Sequence, residues 1–368
     1  MEHILGNAKH RLGKHWRQLA CAVGILLLLT AVAIGAASTR SAHASSSGDW
    51  PTYMYSNDRT GFNSAETIIN PTTAPHLKQH WKHLAAGKVT TQPIVANGMV
   101  YWGSWDGLEH ATNPSNGVDT WTANLGQLAS QCSKMKMGVL SSAAFASISI
   151  GGVTTPVVFV GGGNVNLYAL NAKTGAVIWK KSLGTQSDHF LYGSPAVYKG
   201  SVYMGISSHG DCPLIQGQLV QVNASTGAIQ HTFNVVPNGC TGGSVWTAPT
   251  IDSATSILYF STGNPGTCSS NETMTEALVA IHTSDLSLVG SWQVPASQAS
   301  NDGDFGSTPT LFQATIGGTL HQMVGLLNKN GIYYALDRSN ISAGPLWQDT
   351  LAQPAGQTGG NNVASSAW

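Results

Sequence analysis

Charge is what this sequence has least of. Only 17 Lys+Arg and 17 Asp+Glu occur among 368 residues, 9% of the chain, and they cancel to a net charge of zero. Nucleic-acid binding rests on clustered Lys and Arg, so this composition argues against such a partner. Disorder needs high net charge and few apolar residues, and here 42% of the residues are apolar. Cysteine pairs with metal-binding or haem-binding spacing are also missing. No Cys-x-x-Cys occurs, which removes support for a zinc ribbon or a haem attachment site. Glycine, by contrast, is abundant at 42 residues. Together with Val, Ile, Thr and Tyr it points to many short strands joined by tight turns.

A long apolar run occurs near the N-terminus. Lys9, Arg11, Lys14 and Arg17 precede Leu19–Ala37, and Ala42-His43-Ala44 follows. A basic start, an apolar core and a small-x-small end read as an export signal over residues 1–44, cleaved near Ala44. The run is also about as long as a membrane span, so an uncleaved membrane anchor is the rival reading. Either way the folded part is expected outside the cytoplasm. Cys21 lies within the run, leaving Cys132, Cys212, Cys240 and Cys268 in the remainder. Four cysteines in an oxidising compartment allow two disulfides, with three pairings open.

The chain repeats itself. Gln92-Pro93-Ile94-Val95, Ser194-Pro195-Ala196-Val197, Ala248-Pro249-Thr250-Ile251 and Thr308-Pro309-Thr310-Leu311 each open a copy. An apolar strand such as Met99-Val-Tyr-Trp or Ser201-Val-Tyr-Met follows, then a turn at Asn116-Gly117, Thr174-Gly175 or Thr226-Gly227. The closing positions Trp121, Trp179, His231, Trp292 and Trp347 recur every 52–61 residues. A period near 50 with strand-turn-strand content is that of β-propeller blades. One small sheet cannot hide both faces, whereas stacked blades hide each other's, and a recurring Trp supplies apolar area between them. Five blades follow, at 90–126, 138–184, 192–236, 245–294 and 305–351. Trp81 reads as the last strand of a further blade, supplied by the N-terminus to join the ends of a ring. Residues 361–368 read as the first strand of a sixth, so the propeller over 49–368 is expected to be truncated.

Several segments resemble a known family. Asp49-Trp50-Pro51-Thr-Tyr, Tyr168-Ala-Leu-Asn-Ala-Lys-Thr-Gly175-Ala-Val-Ile-Trp179 and Tyr333-Tyr-Ala-Leu-Asp337-Arg338 are similar to repeats of the pyrroloquinoline quinone (PQQ)-dependent quinoprotein alcohol dehydrogenases, polyvinyl-alcohol dehydrogenases in particular. The resemblance implies an all-β propeller of four-stranded antiparallel blades, eight in a complete member. It also implies oxidation of secondary or polymeric alcohols with PQQ and calcium, and electron delivery to cytochrome c or another external acceptor.

It further assigns roles residue by residue. In Leu258-Tyr-Phe-Ser-Thr-Gly-Asn264-Pro265-Gly266, Asn264 would give its side-chain oxygen to calcium, an ion that takes oxygen ligands. The plain alternative is an Asn-Pro turn. Trp246 would floor the quinone ring, and it stands outside the blade pattern, ahead of Pro249. In Asn301-Asp302-Gly303-Asp304-Phe305-Gly306, Asp304 would be the catalytic base and a calcium ligand, with Asp302 in reserve. Lys329, before Asn330-Gly331, would contact the quinone oxygens. The sequence departs from the family in two respects. It has no adjacent Cys-Cys pair, and in place of the family's acidic Glu ligand stands Asp211, the nearest match by position. A non-catalytic scaffold propeller shares the blade repeat but has no use for Trp246, Asn264, Asp304 and Lys329 together.

Overall fold

The computed structural model describes residues 48–129, 131–132, 134–185, 188–354 and 365–367. The export or anchor segment at 1–44 lies outside them, and so do 361–364 and Trp368 of the expected sixth blade. Among the described residues no helix is long and apolar enough to cross a membrane.

Five four-stranded antiparallel sheets follow one another as simple meanders. The first holds β1 (Ile94–Ala96), β2 (Met99–Gly103), β3 (Leu108–Thr112) and β4 (Asp119–Asn124). A small hairpin, β5 (Leu128–Ala129) and β6 (Lys136–Met137), leads to the second sheet. That sheet is β7 (Ala144–Ile150), β8 (Val153–Gly161), β9 (Asn166–Asn171) and β10 (Val177–Ser182). The third is β11 (Ala196–Tyr198), β12 (Ser201–Ile206), β13 (Gln218–Asn223) and β14 (Ile229–Asn234). The fourth is β15 (Thr250–Asp252), β16 (Ile257–Ser261), β17 (Ala277–His282) and β18 (Leu288–Gln293). The fifth is β19 (Thr310–Ile316), β20 (Thr319–Leu327), β21 (Ile332–Asp337) and β22 (Pro345–Thr350). These are the blades expected from the repeat.

Both faces of each middle strand are buried, because successive side chains point to opposite neighbours. On β8, Val157 and Phe159 pack towards the third blade with Met204 and Val220, while Val158 and Val160 pack towards the first with Tyr101. On β17, Val279 and Ile281 join Leu219 of the third blade, and Leu278 and Ala280 join Val324 and Tyr334 of the fifth.

The recurring Trp and the recurring turn Gly form one device. The indoles of Trp121 and Trp179 cover the turns of the next blade, donating from Nε1 to Ala172 O at 3.0 Å and Ala224 O at 2.9 Å. A Cβ on Gly175 or Gly227 would meet the covering ring at 2.7 and 2.8 Å, and both residues hold positive φ, so only glycine fits. Trp81 does the same over Gly117, donating to Pro114 O at 2.7 Å. It is not part of a strand, however, since residues 77–93 make no sheet. The expected closing strand is therefore corrected to a strand-free segment that delivers only the indole. Exposed His231 takes the Trp position on the third blade, and the facing turn carries Leu286 (φ 59°) in place of Gly. With no indole to cover it, that turn tolerates a side chain.

One N-terminal segment touches the first strand of every blade. Trp50 and Val95 exchange backbone hydrogen bonds of 2.6 and 2.9 Å, and Phe145 N donates to Pro51 O at 2.8 Å. Asn57 Nδ2 donates to Val197 O at 2.9 Å, Ile251 N to Asn57 O at 2.7 Å and Leu311 N to Asp58 O at 3.0 Å. Fully buried Arg59 completes the plug by donating to Pro249 O (3.0 Å), Tyr53 O (2.6 Å), Thr52 Oγ1 (3.0 Å) and Pro195 O (3.5 Å). Burial lowers its pKa to about 10, countered by Tyr53 and Asp58, so it stays charged near neutral pH.

Glu109 breaks the pattern of the core. It sits on β3 where the next three blades hold Leu167, Leu219 and Leu278, and both its oxygens are buried without a protein hydrogen-bond partner. Burial pushes its carboxyl well above the ordinary carboxylate range. An unpartnered buried polar group costs about 1–3 kcal/mol. Glu109→Leu should therefore raise stability by roughly that amount. The gain should widen as pH rises above the range where an exposed Glu ionises, because only the unfolded chain releases the proton there. Urea unfolding at pH 4 and pH 8 measures both effects.

Candidate active site

Every residue lining one polar cavity comes from one of two kinds of loop. Loops between the second and third strands carry Ser208, His209 and Asp211 (β12–β13), Asn264 (β16–β17) and Lys329 (β20–β21). Loops joining one blade to the next carry Tyr192 (β10–β11), Ser244 and Trp246 (β14–β15), and Asp302 and Asp304 (β18–β19). In an antiparallel meander these loops emerge at the same edge, so blades three to five present them together. The cavity measures about 580 Å³.

Local packing fixes each side chain. Asp304 precedes Phe305, which is wholly buried between the fourth and fifth blades and bonds Thr262 O through its backbone N–H at 3.2 Å. Asn328 Nδ2 donates to Gly303 O at 2.5 Å, and Lys329 N to Asp304 O at 3.3 Å, joining the acid loop to the lysine turn. Val245 N donates to Ile206 O at 3.1 Å, and Thr247 Oγ1 pairs with Ser261 Oγ at 2.8 Å, bracketing Trp246.

Two disulfides secure the loops bearing Asp211 and Asn264. Cys132–Cys212 is adjacent to Asp211, and Cys240–Cys268 ties the Asn264 loop to the chain before Trp246. Of the three pairings open from sequence, this is the one formed. Glu272 adds acceptors for Gly266 N (2.6 Å) and Cys268 N (2.8 Å).

The structure brings all the sequence-predicted residues together. Trp246 Nε1 donates to Asp304 Oδ2 at 2.9 Å, and Lys329 Nζ lies 2.5 Å from Asp304 Oδ1. That oxygen is buried, with the Lys329 ammonium as its ion-pair partner. Lys329 Nζ also donates to Asp302 at 3.0 and 3.1 Å and stands 5.2 Å from the Trp246 ring centroid. Asn264 Nδ2 donates to Asp211 Oδ2 at 2.8 Å and to Asp302 Oδ1 at 2.9 Å.

The two acids of the loop differ in kind. Burial raises the Asp304 carboxyl to about 7, against the pull of Lys329. Burial acts on Asp302 in the same sense, but hydrogen bonds from Asn264 and Lys329 outweigh it and hold its pKa below the ordinary value. Burial disfavours the Lys329 charge too, yet Asp304 and Asp302 keep its pKa above normal. The cavity thus pairs a carboxyl poised to exchange a proton near neutral pH with one that stays ionised.

Sequence reasoning missed Tyr192 and His209, whose side chains are bonded to each other through the phenol oxygen and Nδ1. Burial raises the Tyr192 pKa and lowers that of His209. Tyr192 had a legible signal. It stands three residues before Pro195, as Trp246 stands three before Pro249.

Known proteins match this chain along most of its length. A family model described as the PQQ-type glucose/ethanol/alcohol dehydrogenase β-propeller domain covers residues 50–348. A polyvinylalcohol dehydrogenase of Sphingopyxis sp. (strain 113P3) is 25% identical over 320 residues, covering 76% of this chain and 47% of its own length. A polyvinylalcohol dehydrogenase of Pseudomonas sp. is 24% identical over 332 residues, covering 80% and 50% respectively. The chain therefore spans about half the length of these curated relatives. The crystal structure of quinohemoprotein alcohol dehydrogenase from Comamonas testosteroni superposes with a TM-score of 0.67 at 20% identity, over 82% of this chain and 49% of that one. That likeness is one of fold.

Keeping Asp304 in place costs stability. A carboxyl that ionises near 3.8 in the unfolded chain and near 7 in the fold binds its proton more tightly when folded. The contribution of this one group is then greatest below about pH 4 and is lost between about pH 4 and pH 7, by on the order of 4 kcal/mol. Asp304→Asn should remove this loss, leaving the variant more stable than the parent above pH 7. Thermal unfolding scans across pH test it, and the Trp246 fluorescence of the parent should titrate with a midpoint of about 7.

Proposed function

Since the chain belongs to the PQQ-type glucose/ethanol/alcohol dehydrogenase β-propeller family, we propose that it is the cofactor-binding part of a PQQ- and calcium-dependent alcohol dehydrogenase. The observation that carries this reading is the meeting of Trp246, Asp304 and Lys329 in one cavity, with Asp211 and Asn264 beside them. Secondary or polymeric alcohols are the substrate class, as the names of the two polyvinylalcohol dehydrogenases suggest. Cytochrome c or another external carrier takes the electrons. Two disulfides support work in an oxidising compartment outside the cytoplasm.

The donor set fits a cation and an anionic quinone bound together better than the quinone alone. Three carboxylates, Asp211, Asp302 and Asp304, face one ammonium, Lys329. A polycarboxylate such as PQQ would be repelled from that surface without a cation to offset it. The oxygens of Asp211, Asn264 and Asp304 are the hard donors calcium takes. Trp246 offers an indole face for a flat ring system.

When bound, PQQ supplies the acceptor for two electrons from the carbinol carbon, and calcium polarises its carbonyl. Asp304 takes the proton from the substrate hydroxyl, a task suited to a base whose pKa is about 7. Trp246 Nε1–H holds one Asp304 oxygen and the Lys329 ammonium the other, so a substrate hydroxyl takes the place of one of these partners. Lys329 holds positive charge where negative charge develops on the acceptor oxygens. The walls contributed by Tyr192 and Trp246 exclude water from one side.

Full-chain protein supplied with PQQ and calcium should oxidise secondary alcohols with an artificial electron acceptor and show PQQ quenching of Trp fluorescence. Absence of both sinks the proposal. Asp304→Asn should reduce turnover by at least a hundredfold, the usual worth of a positioned base, while quenching persists. Cys268→Ser, by loosening the Asn264 loop, should raise the calcium concentration needed for half-maximal PQQ quenching about tenfold. Excess calcium should restore activity in that variant, which a globally unfolded protein would not allow.

A further inference from the structure

Away from this cavity, the first blade holds a cluster of side chains that no step above uses. Ligand atoms of His83, His110 and Asp119 all lie within 4.8 Å of one another. His83 belongs to the strand-free segment after Trp81, His110 to β3 and Asp119 to β4. We propose that His83, His110 and Asp119 form a binding site for a divalent transition-metal ion, zinc by its ligand chemistry, that pins the strand-free segment to the first blade.

The hydrogen bonds around the cluster decide the matter. His83 Nδ1 lies 3.0 Å from Gly117 O, and a carbonyl only accepts, so Nδ1 carries the proton. Nε2 is then the lone-pair nitrogen, and it lies 3.5 Å from Asp119 Oδ2. Ser104 Oγ gives its one proton to Asp106 Oδ1, so it can only accept from His110 Nε2, 3.3 Å away. His110 Nδ1 lies 2.8 Å from the same Asp119 Oδ2, so in the metal-free protein a proton joins these two atoms. The other carboxylate oxygen of Asp119 accepts from Thr112 Oγ1 at 2.6 Å, and Thr112 Oγ1 accepts from Trp102 Nε1 at 2.9 Å.

Every outward-facing atom of the triad is thus satisfied, and the three inward atoms are two imidazole nitrogens and a carboxylate oxygen. A metal ion would take the place of the proton now shared by His110 and Asp119, as ligands deprotonate on binding. Outer partners that fix the tautomer and orientation of ligating His and carboxylate side chains are the usual support of a metal site. The Trp102 ring, stacked on His110 with centroids 3.9 Å apart and planes 1° from parallel, locks that imidazole further. Ligands 2.0–2.1 Å from a tetrahedral zinc ion stand roughly 3.3–3.4 Å apart, close to the 3.5 Å between His83 Nε2 and Asp119 Oδ2. That spacing is wider than the 2.8 Å between His110 Nδ1 and Asp119 Oδ2, a pair the ion would part as it replaces their proton. Two imidazoles and one carboxylate suit zinc or copper and not calcium, which takes oxygen. Three protein ligands leave the fourth position to water.

Calorimetric titration of Zn²⁺ into chelator-stripped, chelator-free full-length protein tests the site. One Zn²⁺ per chain should bind, and His83→Ala and Asp119→Asn should each weaken it at least tenfold. Thr112→Val, which touches no ligand nitrogen, should weaken it about 10–100-fold. Asp211→Asn in the large cavity should leave it unchanged. The proposal is overturned if the parent takes up no Zn²⁺, if His83→Ala and Asp119→Asn bind it as the parent does, or if Asp211→Asn abolishes uptake. Should Asp119→Asn fail to fold by circular dichroism, His83→Ala, altered outside any strand, decides alone.

Discussion

The fold depends on a short stretch of chain that belongs to no blade. Residues 50–59 bond the first strand of all five sheets, and Arg59 ties the stretch down from within. A propeller's blades each pack only on their neighbours, so a group that bonds several of them at once adds a separate tie. Here a buried guanidinium supplies one through hydrogen bonds to the third and fourth blades' opening prolines. Its partners are mostly backbone carbonyls, which side-chain substitution cannot remove, and two belong to the opening prolines, Pro195 and Pro249. Proline has no N–H, so these positions offer acceptors only, a fitting lining for a cation.

The cavity is built on that frame from loops alone. Strands supply rigidity, and their ends supply chemistry, which is why the acid, the lysine and the indole can sit on three different loops and still meet. The arrangement is not a relaxed one. Asp304 is held where its ionisation is disfavoured, and the anchoring of Phe305 and Asn328 on either side keeps it there. Poised proton chemistry and local instability are two sides of the same burial.

How much of this was legible in the sequence depended on whether a feature repeats. The x-Pro openings, the turn glycines and the closing tryptophans recur, so the blades could be bounded to within a few residues. Trp81 reads as the last strand of a further blade, yet it covers the first blade's turn from a segment without strands, because the indole's role needs only a turn to cover. Trp246, Asn264, Asp304 and Lys329 were found through family resemblance, and Tyr192 shared Trp246's offset from an opening proline. Arg59 could not be read, since its partners are carbonyls up to 190 residues away. Glu109 was equally hidden, for its oddity appears only when β3 is set beside β9, β13 and β17. His83, His110 and Asp119 converge through a segment without periodicity, which no pattern anticipates.

The substitution of His231 for Trp has a mechanical meaning. Between the first and second blades, Ala172 O receives both Tyr101 OH and Trp121 Nε1. Between the third and fourth, the matching carbonyl of Thr283 receives Tyr203 OH at 2.7 Å, and exposed His231 does not cover that turn. This seam therefore lacks the second of two rivets. The cavity spans this seam and the next, with Asp211, Asn264 and Lys329 supplied by the third, fourth and fifth blades in turn. The second and third blades likewise share one such bond, Trp179 Nε1 to Ala224 O, because Phe159 stands where the first blade has Tyr101, so the doubled bond distinguishes the first seam from the second and third.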